Sequence, residues 1–209
     1  MPRPKSAFLS VDSIVGAALS LVDSTGDFSF PKVARELGVS QAALYNYIDN
    51  REHIIELMRG RIFSARQPLD TQSLPWDEAL RMLAHEYRDC LVGHPRLVPL
   101  LVTQTVQDLG VMGIYDDMAK VLGKAGLVRS AIAPAIATLD YLVLGSAMEL
   151  TAPEVVWSPP QGQFPALSEA ISDLGSAAER SNTAFSFGLE TLLEGIRGVT
   201  KDEFLKTFQ

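Results

Sequence analysis

Apolar residues along this chain recur at intervals of three and four, without the strict alternation that marks a half-buried strand. In the first helical stretch, five apolar positions fall on one face: Ile14, Ala17, Ala18, Leu21 and Val22. Gly26 and Asp27 follow, and this pair is typical of a helix end. The spacing therefore predicts an all-α protein whose first helix runs from about Val11 to Ser24.

Three further short helices are predicted in the N-terminal part of the chain. Ser29 is expected to cap the second helix, which stops at Gly38. Ser40 is expected to cap a third helix that continues through Ile48, and a fourth is expected over Arg51–Ala65. The pattern predicts an N-terminal helical domain of about 66 residues.

A polar segment with two prolines, Gln67–Pro75, separates these helices from the rest of the chain and predicts a domain boundary. We expect one domain over residues 1–66 and a larger helical domain over residues 67–209. The larger part contains six predicted helices: Trp76–Val92, Pro95–Leu109, Met112–Ala125, Ser130–Leu150, Pro165–Ala178 and Ser181–Arg197. Between the predicted helices Ser130–Leu150 and Pro165–Ala178 lies a predicted Pro/Gly-rich loop, Thr151–Phe164, and loops of this length are often functional.

Charge is distributed unevenly between the two parts. The net charge of −7 divides into +1 for residues 1–66 and −8 for residues 67–209, so the acidic total does not exclude a nucleic-acid partner for the first domain. Cys90 is the only cysteine, which excludes an intrachain disulfide and favours a reducing, cytoplasmic location. The most apolar stretch, Ala131–Leu150, contains Asp140, and we predict no membrane span.

The tripeptide Gly38-Val39-Ser40 joins two of the short helices with the spacing of a helix-turn-helix. The helix after it is expected to expose four side chains: Gln41, Ala42, Tyr45 and Asn46. Glutamine and asparagine can pair with adenine, alanine can touch a thymine methyl group, and tyrosine hydroxyls suit phosphate oxygens. These residues predict binding to double-stranded DNA in the major groove, although the turn alone is equally typical of an ordinary helical hairpin.

A longer run, V-S-x-x-x-L-Y-x-Y-I-x-x-R-E-x-I-I, begins at this turn and resembles the signature of the TetR family of transcriptional repressors. It is carried by Leu44, Tyr45, Tyr47, Ile48 and Arg51. The departures are mild, because Tyr47, Ile48 and Arg51 stand where His, Phe and Lys are usual. The resemblance implies an N-terminal three-helix helix-turn-helix domain followed by a ligand-binding and dimerisation domain.

The resemblance also implies roles for individual residues of the helix-turn-helix. Phosphate contacts are implied for Tyr45, Tyr47 and Arg51, and base contacts for Gln41, Ala42 and Asn46. Ser29, Lys32 and Ser40 complete the DNA-binding candidates. Arg3 and Lys5 are expected either to form an arm in the minor groove or to be solvated tail charges.

The C-terminal part resembles the ligand-binding and dimerisation half of the tetracycline-repressor branch. The resemblance there rests on Trp76 at a helix start, the His94-Pro95 turn and the closing helix Phe185–Ile196. Two apolar stripes at helical spacing are the expected homodimer interface, as in a four-helix bundle: Ile132, Ile136, Leu139, Val143, Phe185, Leu189, Leu192 and Ile196. Spacing alone leaves open that both stripes belong to the protomer's own core.

A pocket for an unknown, mostly apolar small molecule is also expected between the fourth to eighth predicted helices. Its candidate lining residues are adaptable apolar and aromatic side chains, with one glutamine: Met58, Ile62, Trp76, Met82, Leu83, Tyr87, Leu101, Gln104, Met112, Tyr115 and Met118. Each of them is also compatible with an ordinary core position. Gln67 and Leu101 stand where tetracycline repressors carry ligand- and metal-contacting histidines, so we expect no metal and no cofactor.

Other functions are less compatible with the sequence. His53, His85 and His94 lack metal-ligand spacing, and the sequence contains no phosphate-binding glycine loop or nucleophile motif. We therefore predict that the protein is not an enzyme. The preferred interpretation is a repressor released from a palindromic operator by its ligand. The alternatives are an activator and a ligand-independent DNA-binding protein.

Overall fold

A computed structural model describes residues 9–64 and 69–198 of the protein. Arg3, Lys5 and Gln67, for which roles are expected above, lie outside the described residues. Ten α-helices form within the described ranges: α1 (Val11–Thr25), α2 (Phe30–Leu37), α3 (Gln41–Leu44), α4 (Arg51–Phe63), α5 (Trp76–Val92), α6 (Val98–Leu101), α7 (Leu109–Lys124), α8 (Arg129–Glu149), α9 (Pro165–Ala170) and α10 (Ala177–Gly198). The predicted all-α fold with an N-terminal helix-turn-helix is confirmed.

Two compact units divide the chain. The first comprises Met1–Pro68 with Arg96–Asp116, and the second comprises Leu69–Pro95 with Asp117–Gln209. Residues 96–116 thus pack with the N-terminal helices, although the sequence assigns them to the larger domain. The functional boundary at residue 66 stays a prediction.

The first helix has strong signals at both ends. Ser10 and Ser13 form a reciprocal capping box, with the Ser13 N–H 3.1 Å from the Ser10 Oγ and the Ser10 N–H 2.9 Å from the Ser13 Oγ. Gly26 ends the helix in the left-handed conformation, at φ 80°. The helix packs its apolar face against α2 and α4 around buried Ile14, Ala18, Val22, Phe28, Val33 and Ile54.

The third helix is shorter than the sequence predicts. It ends at Leu44 rather than Ile48, and the next residues form turns in which Tyr47 N–H donates to the Leu44 carbonyl at 2.9 Å. Aromatic, β-branched and asparagine residues dominate this stretch and have modest helix propensity. Leu44 and Ile48 are nevertheless fully buried, which anchors the segment at both ends.

The helix predicted over Pro95–Leu109 is wrong as one element. A 3-10 turn at Pro95–Leu97 leads into the single helical turn of α6, and residues 102–108 are not helical. Thr103, Thr105 and Val106 are β-branched and disfavour a helix here. The Asp108 carboxylate accepts the Val111 N–H at 3.0 Å, which starts α7 at this point.

The second unit is built on α5, α8 and α10. Arg88 of α5 is 7% exposed and donates to the Ser146 Oγ at 3.0 Å and to the Ser181 Oγ at 2.5 Å. Burial lowers the pKa of this guanidinium. Arg81 adds a two-point ion pair with Glu190, at 2.7 and 3.0 Å. These polar contacts tie the three helices together across an otherwise apolar core.

By length and composition, one helix of the described residues could cross a membrane, namely α8. It packs against α5 and α10 in this unit. Its buried residues include Leu139, Val143 and Ala147.

The segment between α8 and α10 is extended and exposed. The helix predicted over Pro165–Ala178 is wrong for residues 171–176, which separate α9 from α10, and α9 has no buried residue. Arg180 holds the base of the segment, because it pairs with Glu149 at 2.9 Å and donates to the carbonyls of Pro153, Glu154 and Gly175. This buried arginine holds the two ends of a largely exposed loop together.

Candidate functional site

The turn of the helix-turn-helix forms at Gly38, as predicted. Its φ of 66° lies in the left-handed region, where a side chain would be strained. The Val39 N–H returns to the Ala34 carbonyl at 3.0 Å, which closes the end of α2. Ser40 then caps α3 by accepting the Ala43 N–H at 3.3 Å. This geometry separates the short α3 from α2 by a tight turn, as a helix-turn-helix requires.

The residues predicted to touch DNA at α3 and the following turn are all exposed: Gln41, Ala42, Tyr45, Asn46 and Tyr47. The Tyr45 ring stacks on Phe30 of α2, with centroids 4.9 Å apart and planes within 10°. The Gln41 amide lies 3.4 Å from the Tyr45 hydroxyl. Tyr45 is therefore oriented at its ring and at its hydroxyl while it stays 53% exposed.

Ser29, Lys32 and Ser40 differ in their availability to a phosphate. Lys32 is exposed in the first turn of α2, and Ser40 is exposed at the start of α3. Ser29 is half-buried at the N-cap position of α2, but its side chain makes no capping hydrogen bond, in contrast to the sequence-based expectation. Contacts of these three residues with DNA stay predictions.

Arg51, predicted as a phosphate contact, is occupied within the protein. Its Nη2 lies 2.5 Å from the Asp27 carboxylate, and its Nη1 donates to the Phe28 carbonyl at 2.6 Å. The guanidinium carbon lies 4.3 Å from the centre of the Phe28 ring. The Arg51 hydrogen bond also lowers the pKa of Asp27. The structure thus joins the start of α4 to the turn between α1 and α2.

A second polar cluster joins α4 to the non-helical residues 102–108. One oxygen of the Glu56 carboxylate accepts the N–H groups of Gln107 and Asp108, both at 2.6 Å. The other oxygen pairs with Arg59 at 2.8 Å, and Arg59 donates to the Leu101 carbonyl at 3.0 Å. We call Glu56 and Arg59 the α4 latch. The latch attaches the end of α6 and the residues just before α7 to α4.

A polar cavity of about 520 Å³ lies beside this latch in the first unit. Its lining consists of acidic, amide and hydroxyl side chains with one histidine: Asp49, Asn50, Glu52, His53, Glu56, Gln104, Thr105 and Gln107. Gln104 therefore lines a polar cavity, and its contact with a ligand stays a prediction.

The other predicted pocket residues fall into three groups. Six are buried, namely Met58, Ile62, Leu83, Tyr87, Leu101 and Met118. Trp76 and Tyr115 are half-buried, whereas Met82 and Met112 are more than two-fifths exposed. Trp76 lies under the Arg197 guanidinium at 5.8 Å. Whether these residues contact a ligand stays a prediction, as does independence from metal. Among the described residues, no group of three or more His, Cys, Asp or Glu side chains is arranged to hold a metal ion.

The predicted dimer stripes lie largely inside the protomer. Five of the eight residues are buried in the single chain, and each is at most 7% exposed: Leu139, Val143, Phe185, Leu189 and Ile196. They have almost no exposed surface in the single chain, which favours the alternative that these five residues belong to the protomer's own core, and the role of the two stripes in a dimer stays a prediction. Ile132, Ile136 and Leu192 are half-buried.

A different face of α8 and α10 is exposed and apolar. Tyr141 is 74% exposed and Phe187 is 75% exposed. The two helices approach closely, because a Cβ added at Gly188 would lie 2.5 Å from the Leu142 Cδ1. A groove of about 520 Å³ runs along this face, and Trp157 from the long loop helps to line it. We call this surface the aromatic face.

Sequence reasoning missed Asp27, Phe30, Glu56 and Arg59 as parts of the site. Phe30 stands at a helix start and has the character of an ordinary core residue. Glu56 and Arg59 have the i, i+3 spacing of a surface ion pair. Their partners are backbone groups 42 to 52 residues away in the sequence, and no local pattern indicates such contacts.

Comparison with known proteins identifies the family. Residues 67–200 match the family described as tetracyclin repressor-like, C-terminal domain. The HTH-type transcriptional repressor DrrR1 of Streptomyces coeruleorubidus is 29% identical over 70% of this chain, and the match spans only 54% of that relative's length. The class E tetracycline repressor of Escherichia coli is 26% identical, with 90% of this chain and 91% of the repressor covered.

A solved structure supports the same fold. The Streptomyces coelicolor TetR family protein ActR, in complex with actinorhodin, superposes with a TM-score of 0.73 at 22% identity. That match covers 92% of this chain and all of ActR. The chain belongs to the tetracycline-repressor-like family of helix-turn-helix transcriptional regulators.

Proposed function

We propose that this protein is a cytoplasmic, homodimeric repressor that leaves a palindromic operator when a small apolar molecule binds. The observation that carries the proposal is the exposed α3, held by the Gly38 turn, with polar and aromatic side chains exposed on this helix and on the turn that follows it. A recognition helix enters the major groove with such side chains at its N-terminal end. Regulation, rather than catalysis, is the proposed activity.

In this proposal, different residues contact the DNA bases and the DNA phosphates. Gln41 and Asn46 are suited to adenine edges, and Ala42 is suited to a thymine methyl group. Tyr45 and Tyr47 present hydroxyl groups to phosphates, where they set register without reading sequence. Lys32 and Ser40 add phosphate contacts, and Ser29 contributes least because it is half-buried.

The dimer that places two recognition helices on one operator uses the aromatic face. Tyr141 and Phe187 are large side chains in water, which monomeric proteins rarely leave as part of one patch. A two-fold interface is self-complementary, so each copy can insert its protruding ring into the groove of the other. Half-sites would then lie one helical turn apart, about 34–36 Å centre to centre.

The ligand is proposed to be mostly apolar and independent of metal. ActR is described in complex with actinorhodin, an observation about that protein which supports a small-molecule ligand here. Leu101 is 2% exposed, and its hydrocarbon side chain cannot ligate Mg²⁺, which requires oxygen ligands. Added Mg²⁺ or a chelator should therefore leave the response to ligand unchanged, and a Mg²⁺–tetracycline complex should not release DNA.

The signal is proposed to reach the DNA-binding residues through α4. The α4 latch ties this helix to residues 101–108, so a displacement of that segment pulls on the helix that begins next to the recognition helix. Ligand can shift the equilibrium only by its differential affinity for the two states, typically about 1–3 kcal/mol of coupling. By the same linkage, operator DNA must weaken ligand binding by an equal factor.

Selection of bound sequences from a random duplex library tests the proposal. The expected product is a palindrome whose half-sites are centred about 10 base pairs apart. Sedimentation of the wild-type protein at micromolar concentration should show a dimer. Recovery of no preferred sequence, or a monomer under these conditions, would overturn the repressor model. Ligands that bind without changing affinity for the selected duplex would remove the sensor role.

A further inference from the structure

We infer that Asp27 and Arg51 form an internal bracket that positions the recognition helix, and that Arg51 does not contact phosphate in the DNA complex. Asp27 is thereby a positioning residue for DNA binding. The inference rests on the proposed function, since it concerns how the same recognition helix is held.

The guanidinium of Arg51 is already used on three sides. Its two terminal nitrogens form the fork that usually grips a carboxylate or phosphate, and here they reach the Asp27 carboxylate and the Phe28 carbonyl. Its carbon atom lies over the Phe28 ring, which is 1% exposed. Stacking and forked hydrogen bonding together hold the side chain facing the turn between α1 and α2.

The bracket continues to the recognition helix through direct contacts. Phe28 is followed after one residue by Phe30, the first residue of α2. The Phe30 ring stacks on Tyr45, whose hydroxyl lies near Gln41. A shift of the Asp27–Phe28 turn therefore moves the ring against which Tyr45 rests. Arg51 acts on DNA affinity through this chain of contacts.

A phosphate that recruited Arg51 would have to break the bracket. The Phe28 carbonyl would lose its donor, and the Asp27 carboxylate would be left unpaired near the polyanion. Asp27 is 65% exposed, so its negative charge would act on the DNA with little shielding by protein. A phosphate contact by Lys32 requires neither change.

An Arg51 that contacts phosphate and an Arg51 that positions the recognition helix predict opposite effects of the substitution Asp27→Asn on DNA binding. Asp27→Asn removes a negative charge from a DNA-binding unit, which by charge alone strengthens DNA binding. If Asp27 merely restrained a phosphate-binding Arg51, the variant would free the guanidinium and bind more tightly, with a steeper salt dependence. If the bracket positions the helix, the same variant binds the operator more weakly.

The experiment uses the full-length protein and the duplex that the wild type selects from a random library. Variants Asp27→Asn, Arg51→Gln and their combination are compared with Asp27→Glu, which keeps a carboxylate. Exposed Glu36 of α2 supplies the matched control, because Glu36→Gln removes one negative charge from the same unit without touching the bracket. Affinity is measured over a salt series, for the selected duplex and for a random-sequence duplex, and circular dichroism establishes folding.

The bracket predicts a loss of operator affinity of about five- to tenfold for Asp27→Asn, the effect of losing a charge-assisted hydrogen bond. The salt slope of Arg51→Gln should stay within about half a unit of the wild type, since losing one phosphate contact from each protomer of the dimer would lower it by about 1.8. The double variant should bind no more weakly than Arg51→Gln, Asp27→Glu should recover part of the loss, and Glu36→Gln should show none.

Three results would overturn the inference. They are tighter operator binding by Asp27→Asn, a salt slope lowered by about two units in Arg51→Gln, and independent effects that add in the double variant. If Asp27→Asn fails to fold, the salt slope of Arg51→Gln still shows whether Arg51 contacts a phosphate. Absence of sequence preference in the wild type would instead refute the proposed function, so the two failures are distinguishable.

Discussion

Removal of the Glu56 carboxylate should detach residues 102–108 from α4. In the structure, this carboxylate accepts two backbone N–H groups at 2.6 Å and pairs with Arg59 at 2.8 Å. Arg59 is 5% exposed, and Glu56 is 20% exposed. Glu56→Ala leaves a buried guanidinium with the Leu101 carbonyl as its remaining described partner and leaves two N–H groups without their acceptor.

The magnitude follows from the ion pair and the hydrogen bonds that the substitution removes. Breaking a buried ion pair by removing one partner costs about 3–5 kcal/mol, and charge-assisted hydrogen bonds contribute about 1.5–3 kcal/mol each. Partial exposure of Glu56 lets water replace some of these bonds. We therefore expect Glu56→Ala to lower the free energy of unfolding by about 2–4 kcal/mol and the melting temperature by about 5–12 °C. Glu56→Gln keeps one acceptor oxygen and should be destabilised by about half as much.

Thermal denaturation at one fixed protein concentration measures this effect, because the stability of a dimer depends on concentration. Exposed Glu52 in the first turn of α4 gives the control, and Glu52→Ala should cost less than about 1 kcal/mol. Hydrogen exchange supplies an independent readout at the amides of Gln107 and Asp108, which should lose protection in Glu56→Ala. Equal melting temperatures for Glu56→Ala and Glu52→Ala, or unchanged exchange at both amides, would refute the latch.

Other measurements test the interface, the dimer and the pH dependence of the DNA-binding unit. Gln41→Ala should change the preferred base at one operator position by about 1–3 kcal/mol, which repeated selection would detect as a relaxed position. Phe187→Asp should give folded monomers, whereas Leu189→Asp should unfold the protein, because Leu189 is 1% exposed in the single chain. Sedimentation measures the oligomeric state and circular dichroism measures folding. A folded, dimeric Phe187→Asp variant would contradict the proposal that the aromatic face is the dimer interface. The hydrogen bond from Arg51 lowers the pKa of Asp27, so this pair stabilises the folded state above about pH 4 and the contribution disappears as pH falls through the lowered pKa. Asp27→Asn should be less stable at neutral pH and should lose less stability on acidification; equal acid sensitivity in both proteins would contradict that assignment.

Sequence signals predicted the elements whose ends are determined locally. The bounds of α5 agree with the predicted Trp76–Val92, and α2 stops before Gly38 as expected. In both cases, apolar spacing defines the buried face, and a proline or glycine beside the helix defines an end. The helix-turn-helix was predictable for the same reason, since its turn requires a residue that tolerates positive φ.

Local signals failed where distant residues supply the decisive contact. The pattern over Pro95–Leu109 indicates one helix, but Glu56 accepts the N–H groups of Gln107 and Asp108 from another helix. Arg51 resembles a free cation at a helix start, but its partner Asp27 is 24 residues earlier in the chain. A carboxylate that accepts backbone N–H groups competes with helix formation, and sequence spacing carries no information about that competition.

The dimer interface illustrates a further limit of periodicity. A helix that both completes a protomer's core and contacts a second protomer needs two apolar faces, and the period of 3.6 residues identifies apolar stripes without assigning partners. In α10, Phe185 and Leu189 form the regular stripe and fill the core of the single chain. Phe187 lies on another face and is exposed, like Tyr141 of α8. The isolated aromatic residue outside the regular stripe is therefore the better sequence signal for the proposed partner-facing surface, because folding of one chain gives no reason to place so large an apolar group in water.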